Sequence, residues 1–149
     1  MIDKIFEGPD HISQANVPWD NVVRDDFHVI VYLDKYPVTE GHLLFVPKYN
    51  AIGVLNDAFK DAVEHGKKGV EAGAWDGFNV GLNYGESAGQ TVNWPHIHLI
   101  PRRKGDVEDP IGGVRNTIPG KGNYRKTENK TIGESISDWT TNINPTFPG

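Results

Sequence analysis

The residue types and spacings that point to chemistry lie in Gly89–Arg103, which reads GQTVNWPHIHLIPRR. His96 and His98 sit two apart in an apolar, β-branched run. Alternate side chains of a strand leave the same face, so both imidazoles share a face with Trp94 and Ile100, while Ile97 and Leu99 point away. Gln90 and Thr91 approach that face from a turn that Gly89 permits. Neutral imidazole is a nucleophile and a base near pH 7, because its unperturbed pKa is about 6.5. A His-X-His strand also offers two metal ligands on one side. Such a centre needs a further donor four or five places on, where this chain carries Arg102 and Arg103, cations that oppose a metal ion. The pattern therefore predicts an active site with no metal ligands of its own.

These side chains need a scaffold. Phe27–Leu33 (FHVIVYL) and His42–Pro47 (HLLFVP) read as antiparallel strands joined by the turn-rich Asp34–Gly41. From Val54 to Val70 the period changes: Val54, Leu55, Ala58, Phe59, Ala62 and Val63 recur at helical spacing, with Gly66 and Gly69 weakening the last turns. Phe78–Leu82 returns to strand character, a loop spans Asn83–Gly89, and Val92–Pro101 is the histidine strand. Strands, one amphipathic helix and further strands predict an α+β fold, an antiparallel sheet covered by a helix.

The 149 residues fit one domain, 1–149, with a polar C-terminal extension from about residue 120 in which Trp139 and Phe147 are candidate anchors. The chain is 37% apolar and 23% charged with a mean hydropathy of −0.50, and its apolar runs fall short of a membrane helix. There is no cysteine, so disulfides and thiolate zinc sites are excluded. The opening MIDKIFEGPD lacks the basic start and apolar stretch of a secretory signal, and the expected location is cytoplasmic. A formal charge of −5 argues against a nucleic-acid partner. Arg102, Arg103 and Lys104 beside the histidines read either as a solvated face or as a rim for a small anion.

With those residues in place, GQTVNWPHIHLIPRR resembles the histidine-triad (HIT) superfamily of nucleotide hydrolases and transferases, whose motif is His-φ-His-φ-His-φ-φ with φ apolar. On that motif Trp94 stands at the first histidine position, His96 at the middle one and His98 at the last. DKYPVTEGHLLFVPK resembles the family's earlier strand-turn-strand, with Asp34 at the ribose-holding position and His42 at its Gly-His. LNYGESAGQTV resembles its phosphate-facing loop, with Asn83, Gln90 and Thr91 at the polar positions. GDVEDPIGGVRNTIPGKGNY resembles an extension of bacterial diadenosine polyphosphate hydrolase-like members, so the likeness runs from about Phe27 to Tyr124. Pro95 resembles the uridylyltransferase branch, but that branch has glutamine where this chain has His98.

The resemblance implies a homodimeric hydrolase that cleaves a phosphoanhydride or phosphoramidate at an α-phosphate through a nucleotidyl-histidine, with dinucleoside polyphosphates as the expected substrates. In it His96 is the nucleophile, its other ring nitrogen pinned by a backbone carbonyl. His98 binds a phosphoryl oxygen or assists proton transfer, and Gln90 and Thr91 bond the phosphates and leaving oxygen. Asn83 contacts phosphate or ribose, and Asp34 accepts from ribose hydroxyls. His42 supports the histidines from behind or is a buried structural residue, and Trp94 stacks on a base or packs in the core. Ile5, Phe6 and Phe27 are candidates for a base pocket. No cofactor is obligatory, and Mg²⁺ would accompany a polyphosphate. Two other readings stay open: a nucleotide-binding module with little catalysis, motivated by Trp94, and a nucleotidyltransferase.

Overall fold

Five short strands, β1 (Val22–Asp25), β2 (Val29–Leu33), β3 (Leu43–Pro47), β4 (Gly77–Leu82) and β5 (Ile97–Arg102), form one antiparallel sheet in the order β1-β2-β3-β5-β4. One helix, α1 (Ile52–Glu71), packs on it, giving the α+β arrangement expected from the sequence. The structure is a computed structural model and describes residues 2–126. It divides into two units, Met1–Val107 and Glu108–Gly149. Among the described residues no helix is long and apolar enough to cross a membrane.

In the first unit, period-two alternation sorts the strand side chains into two apolar layers. Val29, Val31, Leu43, Phe45, Ile97 and Leu99 face Leu55, Ala58 and Ala62 of α1. Ile30, Tyr32, Leu44 and Val46 face the other way, where Trp94 completes a second cluster. That face is covered by the segment before β1, through Phe6, Ile12, Val17 and Trp19. Buried Asn50 fastens this segment: its Oδ1 accepts from the backbone N–H groups of Ile5 and Phe6, and its Nδ2 donates to the carbonyls of Phe6 and Pro9. Every polar atom of the amide is thus satisfied, as burial demands.

Three expectations change. β1 carries no apolar alternation to betray it, because it is an edge strand with an exposed side, and Phe27 and His28 belong to the turn that joins it to β2. The helix is longer than Val54–Val70 and buries a different face: Leu55, Ala58, Ala62, Gly66 and Gly69 are inside, while Phe59 and Val63 are exposed. The two glycines admit aromatic rings; a Cβ at Gly66 would stand 2.6 Å from Phe78 and one at Gly69 would stand 1.9 Å from Trp75. The histidine strand starts at Ile97 instead of Val92. Pro95 has no N–H to give the ladder, and the Trp94 carbonyl bonds a side chain instead.

The described part of the second unit winds around glycines. Gly112 has φ +98°, and a Cβ there would meet the Gly122 carbonyl oxygen at 2.3 Å. Arg115 Nε donates to that same carbonyl, and the Tyr124 ring lies 5.7 Å from the guanidinium of Arg115 and of Arg125. Trp139 and Phe147, expected as anchors, lie outside the described residues.

Candidate active site

A cavity of about 430 Å³ opens on the sheet face opposite α1. His96 and His98 form its floor, their ring centroids 5.1 Å apart. The 34–36 turn between β2 and β3 supplies one side, the 83–92 loop between β4 and β5 another, and Pro18–Trp19 a third. β3 pairs with β5 so that Leu44 stands opposite His98, which fixes the floor against the middle of the sheet.

His96 is only 8% exposed. Its Nδ1 lies 2.8 Å from the Trp94 carbonyl oxygen, an atom that only accepts. The proton of the neutral ring is therefore on Nδ1, and Nε2 carries a free electron pair. Burial lowers the His96 pKa, opposed by the Trp94 carbonyl and by Asp34. At neutral pH the ring is unprotonated and nucleophilic.

A chain of directed hydrogen bonds sets the second imidazole. The Val38 N–H donates to His42 Nδ1 over 3.1 Å, so neutral His42 carries its proton on Nε2. That nitrogen lies 2.9 Å from His98 Nδ1 and donates to it. Neutral His98 consequently has its proton on Nε2, where it is a hydrogen-bond donor to a ligand in the cavity. Burial, with the neighbouring His96 and His42, lowers the His98 pKa to about 4 against the pull of Asp34. Burial also lowers that of His42, again opposed by Asp34.

Asp34 lines the cavity, but both its oxygens have protein neighbours. Oδ1 accepts from the Tyr36 N–H at 2.8 Å, and Oδ2 is 3.4 Å from His42 Nε2. Asp34, His42 and His98 bring three ligand-type atoms within 4.8 Å of one another. Their bonding does not suit a cation: a metal needs the electron pair of His42 Nε2, and the Val38 N–H keeps a proton there.

Gln90 lines the cavity with its amide spent on the loop itself. Its Oε1 accepts from the Gly85 N–H at 2.8 Å, and its Nε2 donates to the carbonyls of Val92 and Asn93. Gln90 thus shapes the loop in this state of the chain. Asn83 and Thr91 also line the cavity, and neither side chain has a hydrogen-bond partner among the described residues. Both side chains are free to meet a ligand.

Other residues singled out in the sequence lie elsewhere. Trp94 is 2% exposed and packs in the second apolar layer, its indole N–H on the Pro47 carbonyl at 2.8 Å and its ring edge-on to Phe6 at 5.6 Å. It contributes its carbonyl to the site and its ring to the core. Ile5 is in the helix-side core and Phe6 packs against both apolar layers, while Phe27 is 79% exposed beside a separate hollow. None of the three lines the histidine cavity. Arg102 is held by both Asp106 oxygens and by Asn79, and Arg103 donates to the Glu40 carbonyl, so neither forms an anion rim here. Among cavity residues the sequence reading missed Trp19, Lys35 and Tyr36. Trp19 stands with its ring centroid 4.6 Å from that of His96 at 61°.

Residues 16–105 match the family model described as HIT domain. The chain is 41% identical over 102 residues to an uncharacterized HIT-like protein of Methanocaldococcus jannaschii, covering 64% of this chain and 79% of that one. It is 37% identical over 95 residues to an adenosine 5′-monophosphoramidase of Saccharomyces cerevisiae, covering 62% of this chain and 60% of the yeast protein. A crystal structure of a HIT family protein from Bacillus anthracis superposes with a TM-score of 0.59 at 27% identity, covering 86% of this chain and 88% of the other.

Proposed function

Because this chain belongs to the HIT domain family, we propose that it is a nucleotide hydrolase in which His96 attacks an α-phosphate. One observation carries the reading: the Trp94 carbonyl holds the His96 proton on Nδ1, so that Nε2 meets the cavity with its electron pair free. Attack forms an Nε2–P bond and breaks the bond to the leaving group, which keeps the electron pair. A departing amine takes a proton from solvent. Water then adds to phosphorus, releases a proton and returns the electron pair to Nε2, a double displacement. His98 donates its Nε2–H to a phosphoryl oxygen, and Asn83 and Thr91 supply further hydrogen bonds. Gln90 keeps the loop in shape for them, and Asp34 meets the ribose.

The charge of the cavity favours a substrate with one phosphate at the site, such as a nucleoside phosphoramidate. Among the described residues Lys35 is the only lysine or arginine of its wall, and Lys35 lies 3.6 Å from Asp20. The likeness to the yeast monophosphoramidase supports the same class. Dinucleoside polyphosphates are the second reading; several phosphates there need neutralising from outside the wall, a task suited to Mg²⁺. Transfer of the nucleotide to a second phosphate differs only in what attacks the intermediate. We further propose a cytoplasmic homodimer.

The test is an alkaline quench during turnover of adenosine 5′-phosphoramidate, followed by mass spectrometry. A nucleoside monophosphate adduct on the peptide containing His96 is expected, and none in His96→Ala, whose turnover is lost. Turnover of that variant near the parent rate sinks the assignment. Binding of AMP with no hydrolysis by the parent would favour the non-catalytic module. A higher kcat/KM for diadenosine tetraphosphate with Mg²⁺ than for the phosphoramidate would reverse the order of substrates.

A further inference from the structure

The attack described above changes the charge of the nucleophile. His96 begins as a neutral ring with its proton on Nδ1, bonded to the Trp94 carbonyl. Once Nε2 has joined phosphorus the ring keeps that proton and carries a positive charge until water releases the nucleotide. A buried cation is costly unless something faces it. The Trp94 carbonyl meets one edge of the ring. The Asp34 carboxylate also favours the charged ring through space, but its Oδ2 is 3.4 Å from His42 Nε2 and 4.0 Å from His98 Nδ1, so it is shared with that pair.

A further neighbour of His96 is the aromatic ring of Trp19. The indole of Trp19 meets the imidazole in a T-shaped contact, the ring centroids 4.6 Å apart and the planes at 61°, within the roughly 6 Å over which an aromatic ring acts on a cation, and Trp is the strongest aromatic for it. Trp19 is also held in place. It packs on buried Tyr32 with centroids 5.7 Å apart, and its neighbour Asp20 is 3.6 Å from Lys35 of the cavity wall. Its indole N–H has no hydrogen-bond partner among the described residues, so polar bonding does not account for its position. Trp19 therefore presents a fixed aromatic ring to the one group that becomes charged.

We propose that Trp19 stabilises the positively charged imidazole of nucleotidyl-His96 through its π-cloud, and so acts on the intermediate more than on substrate binding. The inference rests on His96 being the nucleophile. It gives the segment before β1 a part in the chemistry.

The experiment replaces Trp19 alone with tryptophans of increasing fluorine content, which drain the π-cloud while keeping the shape. Adduct formation and decay on His96 are followed by quenched single turnover of adenosine 5′-phosphoramidate, and AMP binding is measured separately. Across the series, formation should slow and decay should quicken, with their ratio changing by about tenfold and AMP affinity unchanged. A tenfold change is about 1.4 kcal/mol, within the span of buried cation–π pairs. Equal rates across the series overturn the proposal, because packing alone does not respond to fluorine in opposite directions in the two steps. If the parent forms no adduct on His96, the nucleophile assignment falls and this proposal with it. An adduct forming at the same rates in every protein removes only the role of Trp19.

Discussion

Three histidines on one sheet face are each held below their ordinary pKa, and burial is the largest cause for all of them. In the unfolded chain each takes up a proton near pH 6.5, while in the folded chain each stays neutral to lower pH. Between those values the unfolded state binds more protons, so stability is fully present above about pH 6.5 and is lost as pH falls through the folded pKa values. His98, lowered to about 4, sets the lower end of the window, and alone it accounts for a loss on the order of 3 kcal/mol. Urea unfolding at steps from pH 7.5 to 4 should show this decline, and His98→Asn should flatten it; a profile unchanged between pH 7 and 5 would contradict the burial of these rings. The histidine pair is legible in the sequence because its signal is local, two positions apart in one run. The proton positions are not, because they depend on the Val38 N–H and the Trp94 carbonyl, backbone groups whose aim is set only by the folded turn. Trp19 was hidden for a related reason: it meets His96 across the fold, 77 residues apart in sequence (96 − 19), with no period or motif to announce it.

At the level of elements, the turn–strand–loop order was readable from β-branched runs and their punctuation, and the helix was readable from its period. The glycines of α1 are more than weak points, because Gly66 and Gly69 make room for Phe78 and Trp75. Helix propensity alone says that Gly→Ala gains up to about 1 kcal/mol in a helix interior. At Gly53 nothing lies within 4 Å of a new Cβ, and Gly53→Ala should raise stability by about 0.5 kcal/mol. At Gly69 the new Cβ would stand 1.9 Å from Trp75, whose indole N–H is anchored on the Gly66 carbonyl at 2.9 Å. Overpacking there outweighs the propensity gain, and Gly69→Ala should cost about 1–3 kcal/mol. Denaturant midpoints of the two variants should move in opposite directions; a stabilised Gly69→Ala would mean that Trp75 is not seated against α1. The same logic explains Phe59 and Val63. Small residues on the buried face let the helix lie close to the sheet, and the larger apolar residues are left outside.

Those exposed residues matter for the molecule as a whole. Ile52, Phe59, Val63 and Val70 are each between 37% and 44% exposed, and their spacings of 7, 4 and 7 put them on one line along α1, within about 40° at 100° per residue. A straight apolar seam on the outside of a helix is unusual for a surface that meets only water, and spacings of this kind are those of helix-to-helix packing. β4 offers a second feature beside it, since it is an edge of the sheet, with one row of backbone groups unpaired in the first unit. A two-fold arrangement would bury the same seam on both copies at once, because an isologous interface is self-complementary. In the sequence Phe59 and Val63 share their helical spacing with Leu55, Ala58 and Ala62, and a period of 3.6 cannot say which of these apolar residues meet the sheet. Light scattering on a sizing column should therefore give about twice the chain mass for the parent. Phe59→Glu with Val63→Glu should give a folded monomer, because a charge pair in the seam opposes self-association while touching no residue of the cavity. A parent that elutes as a monomer at micromolar concentration, or a double variant that stays dimeric, would remove this seam as the contact between copies.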